Sequence, residues 1–135
     1  MSTQTLTEEF REATNLALMK AMREPNDAIR YMATHIPIYR QYEATDDMRK
    51  AGGCPDCEFL GLWTQEWPGY ENSQHGLIIL FERGIRYKKR DLWQQCFDTL
   101  IHEFGHALQE DHVLDAMEAE RRRAHHTTSR GDIGG

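Results

Sequence analysis

The chain has too few residues of several kinds to belong to some classes of protein. It contains three cysteines, an odd number that argues against a disulfide framework and favours a reducing compartment. Its longest apolar run, residues 77–81, is far shorter than the roughly 20 apolar residues of a membrane-spanning helix. The first residues lack a basic start followed by an apolar block, so no export is expected. A cytoplasmic location without membrane contact is therefore predicted.

Positive charge is also scarce in this sequence. Lys and Arg total 16 against 22 for Asp and Glu, which gives a net charge of -6. Nucleic acid is therefore not an expected partner, although Arg121, Arg122 and Arg123 form a local basic run. The 135 residues are enough for one hydrophobic core. We expect a single domain over residues 1–124, followed by a flexible polar tail over residues 125–135.

Apolar spacing predicts two helices near the start of the chain. Thr7 followed by two glutamates is typical of a helix start, and the apolar residues after it recur at steps of three and four until Pro25. A second, shorter helix is expected from about Asp27 to Ile36-Pro37. Residues 38–50 show no clear period, and no element is predicted there.

Two strands and two further helices are predicted after residue 58. The segments 59–63 and 76–82 are short and apolar and are separated by turn residues, which predicts an antiparallel pair. Asp91 is the expected N-cap of a long helix, with Gln94 as its reciprocal partner. That helix carries an apolar stripe that should face the core, formed by Trp93, Cys96, Phe97, Leu100, Phe104 and Leu108. A closing helix is expected over residues 113–124.

The long helix also carries a metal-binding pattern. His102 and His106 are four residues apart, so one helical turn places both imidazoles on one face, within reach of one ion. Neutral imidazole suits zinc, and a catalytic zinc takes three protein ligands and leaves one position for water. Glu103, beside the first histidine, fits the general base that takes a proton from that water.

The segment Thr99-Leu100-Ile101-His102-Glu103-Phe104-Gly105-His106-Ala107-Leu108 resembles the active-site helix of the zincin metallopeptidases. Residues 58–124 are most similar to the minimal SprT-like and ImmA-like forms. The resemblance implies an α+β minimal zincin-like fold with N-terminal helices, a small antiparallel sheet, the HExxH helix and a closing helix. It also implies one catalytic zinc ion and a peptide or protein substrate. The strand 76–82 would then be a candidate edge for holding an extended peptide.

Two residues qualify as the third zinc ligand. Glu118 opens Glu118-Ala119-Glu120, which resembles the E-x-E segment of glutamate-liganded zincins. His112 has the spacing of the HExxHxxGxxH pattern, but Gln109 stands where that pattern needs a glycine for chain reversal. Glu118 is the favoured ligand, and it requires a turn near residues 110–112 that no glycine or proline marks.

Other residues allow further roles and other functions. Cys54 and Cys57 form a C-x-x-C pair that fits half a zinc site, a redox couple or a tight turn. Asp98 is placed to orient a ligand imidazole. Three more side chains are candidates for stabilising an oxyanion: Tyr70, His75 and Tyr87. The main alternative to a peptidase is a catalytically inactive, zinc-stabilised binding or regulatory module, and a cysteine-based redox protein is a third possibility.

Overall fold

The structure, a computed structural model, describes residues 6–87 and 91–134, with residues 125–134 described by their backbone alone. The described part is α+β, as predicted. Its helices and strands, in chain order, are α1 (Glu8–Ala21), α2 (Asp27–His35), β1 (Ile38–Gln41), α3 (Asp46–Ala51), β2 (Gly61–Thr64), β3 (Leu77–Phe81), α4 (Glu82–Tyr87), α5 (Leu92–Glu110) and α6 (Val113–Gly134). No helix in these ranges is both long and apolar enough to cross a membrane.

The two N-terminal helices begin and end close to the predicted positions. The Thr7 side chain accepts a hydrogen bond from the backbone N–H of Phe10 and caps α1, and Asn26 caps α2 in the same way. The capping oxygens satisfy N–H groups that have no partner inside the helix. The face of α1 that carries Phe10 is buried against α5.

The sheet is mixed, which corrects the predicted small antiparallel sheet. Its strand order is β1-β3-β2. The predicted antiparallel pairing of β2 with β3 is present, but β1 lies parallel on the other side of β3. This strand falls in residues 38–50, where no element was predicted, because four half-buried residues are too few to show a period of two.

Strand β3 lies in the centre of the sheet and separates two hydrophobic clusters. Ile78 and Leu80 face the larger cluster, which includes residues of α1, α2 and α5. Leu77, Ile79 and Phe81 face the smaller cluster, which includes Met48 of α3. All five residues of β3 are fully buried. The prediction that segment 76–82 forms an edge for a peptide is therefore wrong, because the edges of the sheet are β1 and β2.

Helix α5 follows its prediction except at its start. Asp91 occupies the N-cap position, but its side chain makes no capping hydrogen bond. The capping-box prediction is wrong because Gln94 donates to Asp98 instead, at 3.0 Å. The predicted stripe is buried at its centre, at Cys96, Phe97, Leu100 and Phe104. Burial raises the pKa of the Cys96 thiol to about 12, so Cys96 is a core residue, as expected.

The closing helix α6 is longer than predicted and follows a sharp turn. His112, between α5 and α6, has a φ of 51°, in the left-handed region that histidine tolerates better than most residues. The turn required near residues 110–112 is therefore present, without a glycine. Helix α6 continues past the predicted end at Ala124 to Gly134. Gly135 lies outside the described residues, and the flexibility of residues 125–135 stays a prediction.

The C-x-x-C pair forms a disulfide in the structure. Cys54 and Cys57 are joined across a Cα–Cα distance of 5.4 Å, in the loop between α3 and β2. This bond corrects the expectation against disulfides: Cys54 and Cys57 close a local loop, and the buried Cys96 stays free. A disulfide does not fit half a zinc site, and it is compatible with both a tight turn and a redox couple in its oxidised form.

Candidate metal centre

The three residues of the predicted motif come together on the surface of α5. One ligand atom each from His102, Glu103 and His106 can be chosen so that all lie within 4.8 Å of one another. The two imidazole centroids are 4.9 Å apart and the rings are nearly perpendicular. Two imidazoles and a carboxylate are a donor set that binds a borderline divalent metal such as zinc. This group can therefore hold a metal ion.

Helix α5 exposes the histidines because its opposite face is fixed in the core. Leu100, Phe104 and Ala107 are buried with at most 1% of their surface exposed, so the helix cannot rotate without losing that burial. His102 is consequently exposed, and 47% of the His106 side chain is accessible. Apolar packing thus determines the orientation of the candidate ligands, whereas the i, i+4 spacing determines the distance between them.

Glu103 differs from the two histidines because it is buried, with 6% of its surface exposed. Burial raises the pKa of its carboxyl group, while His106, His102 and a hydrogen bond from the backbone N–H of Trp63 act in the opposite direction. The net effect is a pKa above the ordinary value. A carboxylate that binds protons more tightly than usual is a better general base near neutral pH.

Gly61 of β2 provides the space that Glu103 occupies. A Cβ at position 61 would lie 2.8 Å from Thr99 Cγ2 and 3.1 Å from Glu103 Cγ, closer than normal carbon contacts. Sequence reasoning missed this residue. Its signal was an isolated glycine in a strand pattern, which often marks the close approach of another group.

The candidate ligands line a cleft of about 720 Å³ between α5 and the β2 side of the sheet. Strand β2 and the residues before it form one wall, from Glu58 to Trp63, and α5 forms the other. The α5 wall carries two further carboxylates, Asp98 and Glu110. Asp98, which was predicted to orient an imidazole, lies in this wall and accepts a hydrogen bond from Gln94.

Neither predicted third ligand joins the histidine pair. The Glu118 carboxylate accepts hydrogen bonds from Arg121 at 3.0 Å and from Arg122 at 3.1 Å, on the surface of α6. The His112 side chain is 88% exposed and lies 3.6 Å from Asp115. In the described ranges, the group that can hold a metal consists of His102, Glu103 and His106. The third protein ligand stays a prediction.

The three residues considered for an oxyanion role do not line this cleft. His75 is buried in a polar network, where Nδ1 lies 2.7 Å from Asp111 Oδ2 and Nε2 lies 2.9 Å from the Tyr31 hydroxyl. Tyr70 donates a hydrogen bond to Gln41 at 2.6 Å, and Tyr87 is 77% exposed. Their contacts indicate structural roles for His75 and Tyr70.

Comparison with known proteins does not assign this chain to a family. No protein-family model matches the sequence, and no curated protein matches it significantly. The function must therefore be inferred from the site itself, which combines two solvent-facing imidazoles with a buried carboxylate in a cleft bordered by a strand.

Proposed function

We propose that this protein is a zinc-dependent metallopeptidase with a minimal zincin-like fold. The observation that carries the proposal is the convergence of His102, Glu103 and His106 within 4.8 Å in an open cleft. The order of elements, with helices and a small sheet before α5 and a closing helix after it, agrees with the arrangement that the resemblance implies. A peptide or protein substrate is part of the same proposal, and so is a cytoplasmic location, in which the Cys54–Cys57 disulfide would be reduced.

Each residue of the motif has a separate chemical task. His102 and His106 would hold the ion through their ring nitrogens. Zinc, when bound, would act as a Lewis acid that makes water more acidic and polarises the peptide carbonyl. Glu103 takes the proton from the attacking water and then delivers it to the leaving amine. Its burial favours both steps, since a raised pKa allows the carboxyl group to accept and to release a proton.

Strand β2 supports a peptide substrate because its outer edge borders the cleft. The backbone N–H of Phe81 donates to the Leu60 carbonyl at 2.9 Å. In the antiparallel register, the backbone groups of residues 60, 62 and 64 therefore hydrogen-bond to β3, whereas the N–H and C=O groups of residues 61 and 63 point away from it. The hydrogen bond from the Trp63 N–H to Glu103 agrees with this alternation. An extended peptide can add to such an edge by backbone pairing with the outward groups other than the Trp63 N–H, which already donates to Glu103.

Replacing Glu103 tests the mechanism directly. Glu103→Gln keeps the size of the side chain but removes its basicity, so we expect zinc to stay bound and peptide cleavage to fall by at least about 100-fold. His102→Ala is the matched variant, in which zinc is lost together with cleavage. Zinc content by mass spectrometry and cleavage of a peptide library measure the two effects. Retained hydrolysis in Glu103→Gln would rule out the mechanism, and purified wild-type protein that takes up no zinc would rule out the site.

A second candidate is an inactive, zinc-stabilised binding or regulatory module. It is favoured by the placement of His112 and Glu118 outside the histidine group, because an incomplete ligand set weakens a catalytic site. Intact Glu103 favours the peptidase. The two candidates differ in one measurement: the module binds stoichiometric zinc and gains thermal stability from it, yet cleaves no member of a peptide library.

A further inference from the structure

A carboxylate that the sequence motif does not include lies beside the second histidine. Glu110 follows His106 by one helical turn, and its Oε2 atom is 3.9 Å from His106 Nδ1. Both side chains line the same cleft. About half of each side chain is exposed, 47% for His106 and 59% for Glu110, so both can adjust when the cleft is occupied.

The position of Glu110 is electrostatically unfavourable for the helix itself. It is the last residue of α5, whose final turn contains no basic residue, and Asp111 follows it. The C-terminal end of a helix carries partial negative charge, so a carboxylate there lowers helix stability. In the part of the chain that the structure describes, His106 is the basic side chain that lies within 4.0 Å of the Glu110 carboxylate. The Glu110 carboxylate therefore interacts more favourably with the His106 imidazole than with the helix end.

The pairing involves one ring nitrogen of His106, Nδ1, and leaves the other available to a metal ion. Histidine ligands usually give one ring nitrogen to the metal and donate the N–H of the other to a carboxylate, which fixes the tautomer and the ring orientation. Glu110 approaches Nδ1, which leaves Nε2 of His106 for the ion. Glu58, another carboxylate of the cleft, lies on the opposite wall. It is paired with Arg83 at 3.3 Å.

We propose that Glu110 is a positioning residue that orients His106 for binding a divalent metal ion. The proposal rests on the proposed metal site and adds a residue to it. The present separation of 3.9 Å is longer than a hydrogen bond, so one of the two half-exposed side chains must rotate before Nδ1–H can donate to Glu110. Because Glu110 acts through His106, its removal weakens metal binding without removing a ligand.

Metal affinity and stability of the metal-free protein together test this role. We expect Glu110→Ala to weaken zinc affinity by about 10- to 100-fold, measured by competition with a chromophoric chelator. Glu110→Gln should lose less, since its amide oxygen still accepts a hydrogen bond. The melting temperature of the metal-free variants should stay unchanged or rise, because a negative charge leaves the helix end. A purely structural residue would lower that melting temperature.

A matched control is available in the same molecule. Glu120 of α6 lies 3.5 Å from His35 of α2 and is also about half exposed, but it lies outside the cleft. Glu120→Gln should leave zinc affinity unchanged. Equal zinc affinity in wild type and Glu110→Ala would overturn the role of Glu110 and leave the metal site intact. Absence of zinc binding in wild type would instead overturn the proposed function and this inference with it.

Discussion

At the scale of single residues, the position of Glu103 depends on two residues of another element. Gly61 leaves room for the carboxylate, and the backbone N–H of Trp63 donates to it. The Trp63 indole N–H in turn donates to the His75 carbonyl at 2.9 Å, which fixes Trp63. The candidate base is therefore held from β2, although it belongs to α5.

Gly61→Ala should separate catalysis from metal binding. The added methyl group would lie 2.8 Å from Thr99 Cγ2 and 3.1 Å from Glu103 Cγ, so both side chains must shift. Because even a small misplacement of a general base lowers a rate, we expect cleavage to fall by about 10-fold while zinc affinity stays near wild type. Gly105→Ala is the control, because a Cβ at position 105 meets no atom within 4 Å. Equal cleavage by Gly61→Ala and wild type would contradict this account.

The residues of the motif could be found from sequence, but their neighbours could not. His102, Glu103 and His106 are related by helical spacing, which is a local property. Gly61 and Trp63 are about 40 residues earlier in the chain and approach Glu103 only because β2 packs against α5. Glu110 is one helical turn from His106, so the spacing alone could have indicated it. Carboxylates at helix ends are common without any functional role, however, and the residue was not singled out.

At the scale of secondary-structure elements, the turn between α5 and α6 determines where α6 can place its side chains. His112 makes that turn with a φ of 51°. Its imidazole is exposed and lies near Asp115. The glycine that the HExxHxxGxxH pattern requires at position 109 is absent, and the reversal occurs at residue 112 instead. His112, in the left-handed backbone conformation, therefore makes the chain reversal that the pattern assigns to a glycine.

His112→Gly tests whether His112 serves the turn or the metal. Glycine adopts positive φ without the steric cost of a Cβ, so we expect the free energy of unfolding to rise by about 0.5–1 kcal/mol. Zinc affinity should not change, since the imidazole lies outside the histidine group. His112→Ala removes the same imidazole but keeps the cost of the left-handed turn, and should not be stabilised. Loss of zinc from both variants would instead identify His112 as a ligand.

The strands show the limits of prediction at this scale. The antiparallel pairing of β2 with β3 followed from two short apolar runs and a turn-rich segment between them. Strand β1 has no such signal, and its pairing with β3 joins residues 40 positions apart, such as Ile38 and Ile78. That long-range pairing decides which strand lies in the centre, so β3 was wrongly predicted to be an edge strand.

At the scale of the whole molecule, a buried carboxylate connects the start of the chain to its middle. Glu82 is 1% exposed and accepts hydrogen bonds from the backbone N–H and hydroxyl of Thr7 and from Arg86 Nε. Burial alone would raise the pKa of Glu82, but the hydrogen bonds from Arg86 and Thr7 outweigh it and the pKa is lowered. The folded state therefore favours ionised Glu82.

The stability of the fold should decrease in acid through this group. A carboxyl group with a lowered pKa stabilises the folded state above its ordinary value of 4.5, and this contribution is lost as the pH falls through the folded pKa. Glu82→Gln removes the ionisation, so we expect a loss of about 1–3 kcal/mol at neutral pH and a weaker dependence on acid. Melting temperatures of both proteins between about pH 3 and pH 7 measure the difference. Parallel pH profiles would contradict the assignment.

The sequence by itself determined the local features of this protein. These are the caps and apolar faces of α1 and α2, the buried stripe of α5 and the exposed pair of imidazoles next to Glu103. Each follows from the period of a helix, which relates residues three or four apart. Only the tertiary structure decided the mixed sheet, the open edge at β2, the enclosure of Glu103 and the exclusion of His112 and Glu118 from the histidine group. Those features depend on contacts between residues that are far apart in the chain. The spacing of residues along the sequence does not show which distant residues will pack together.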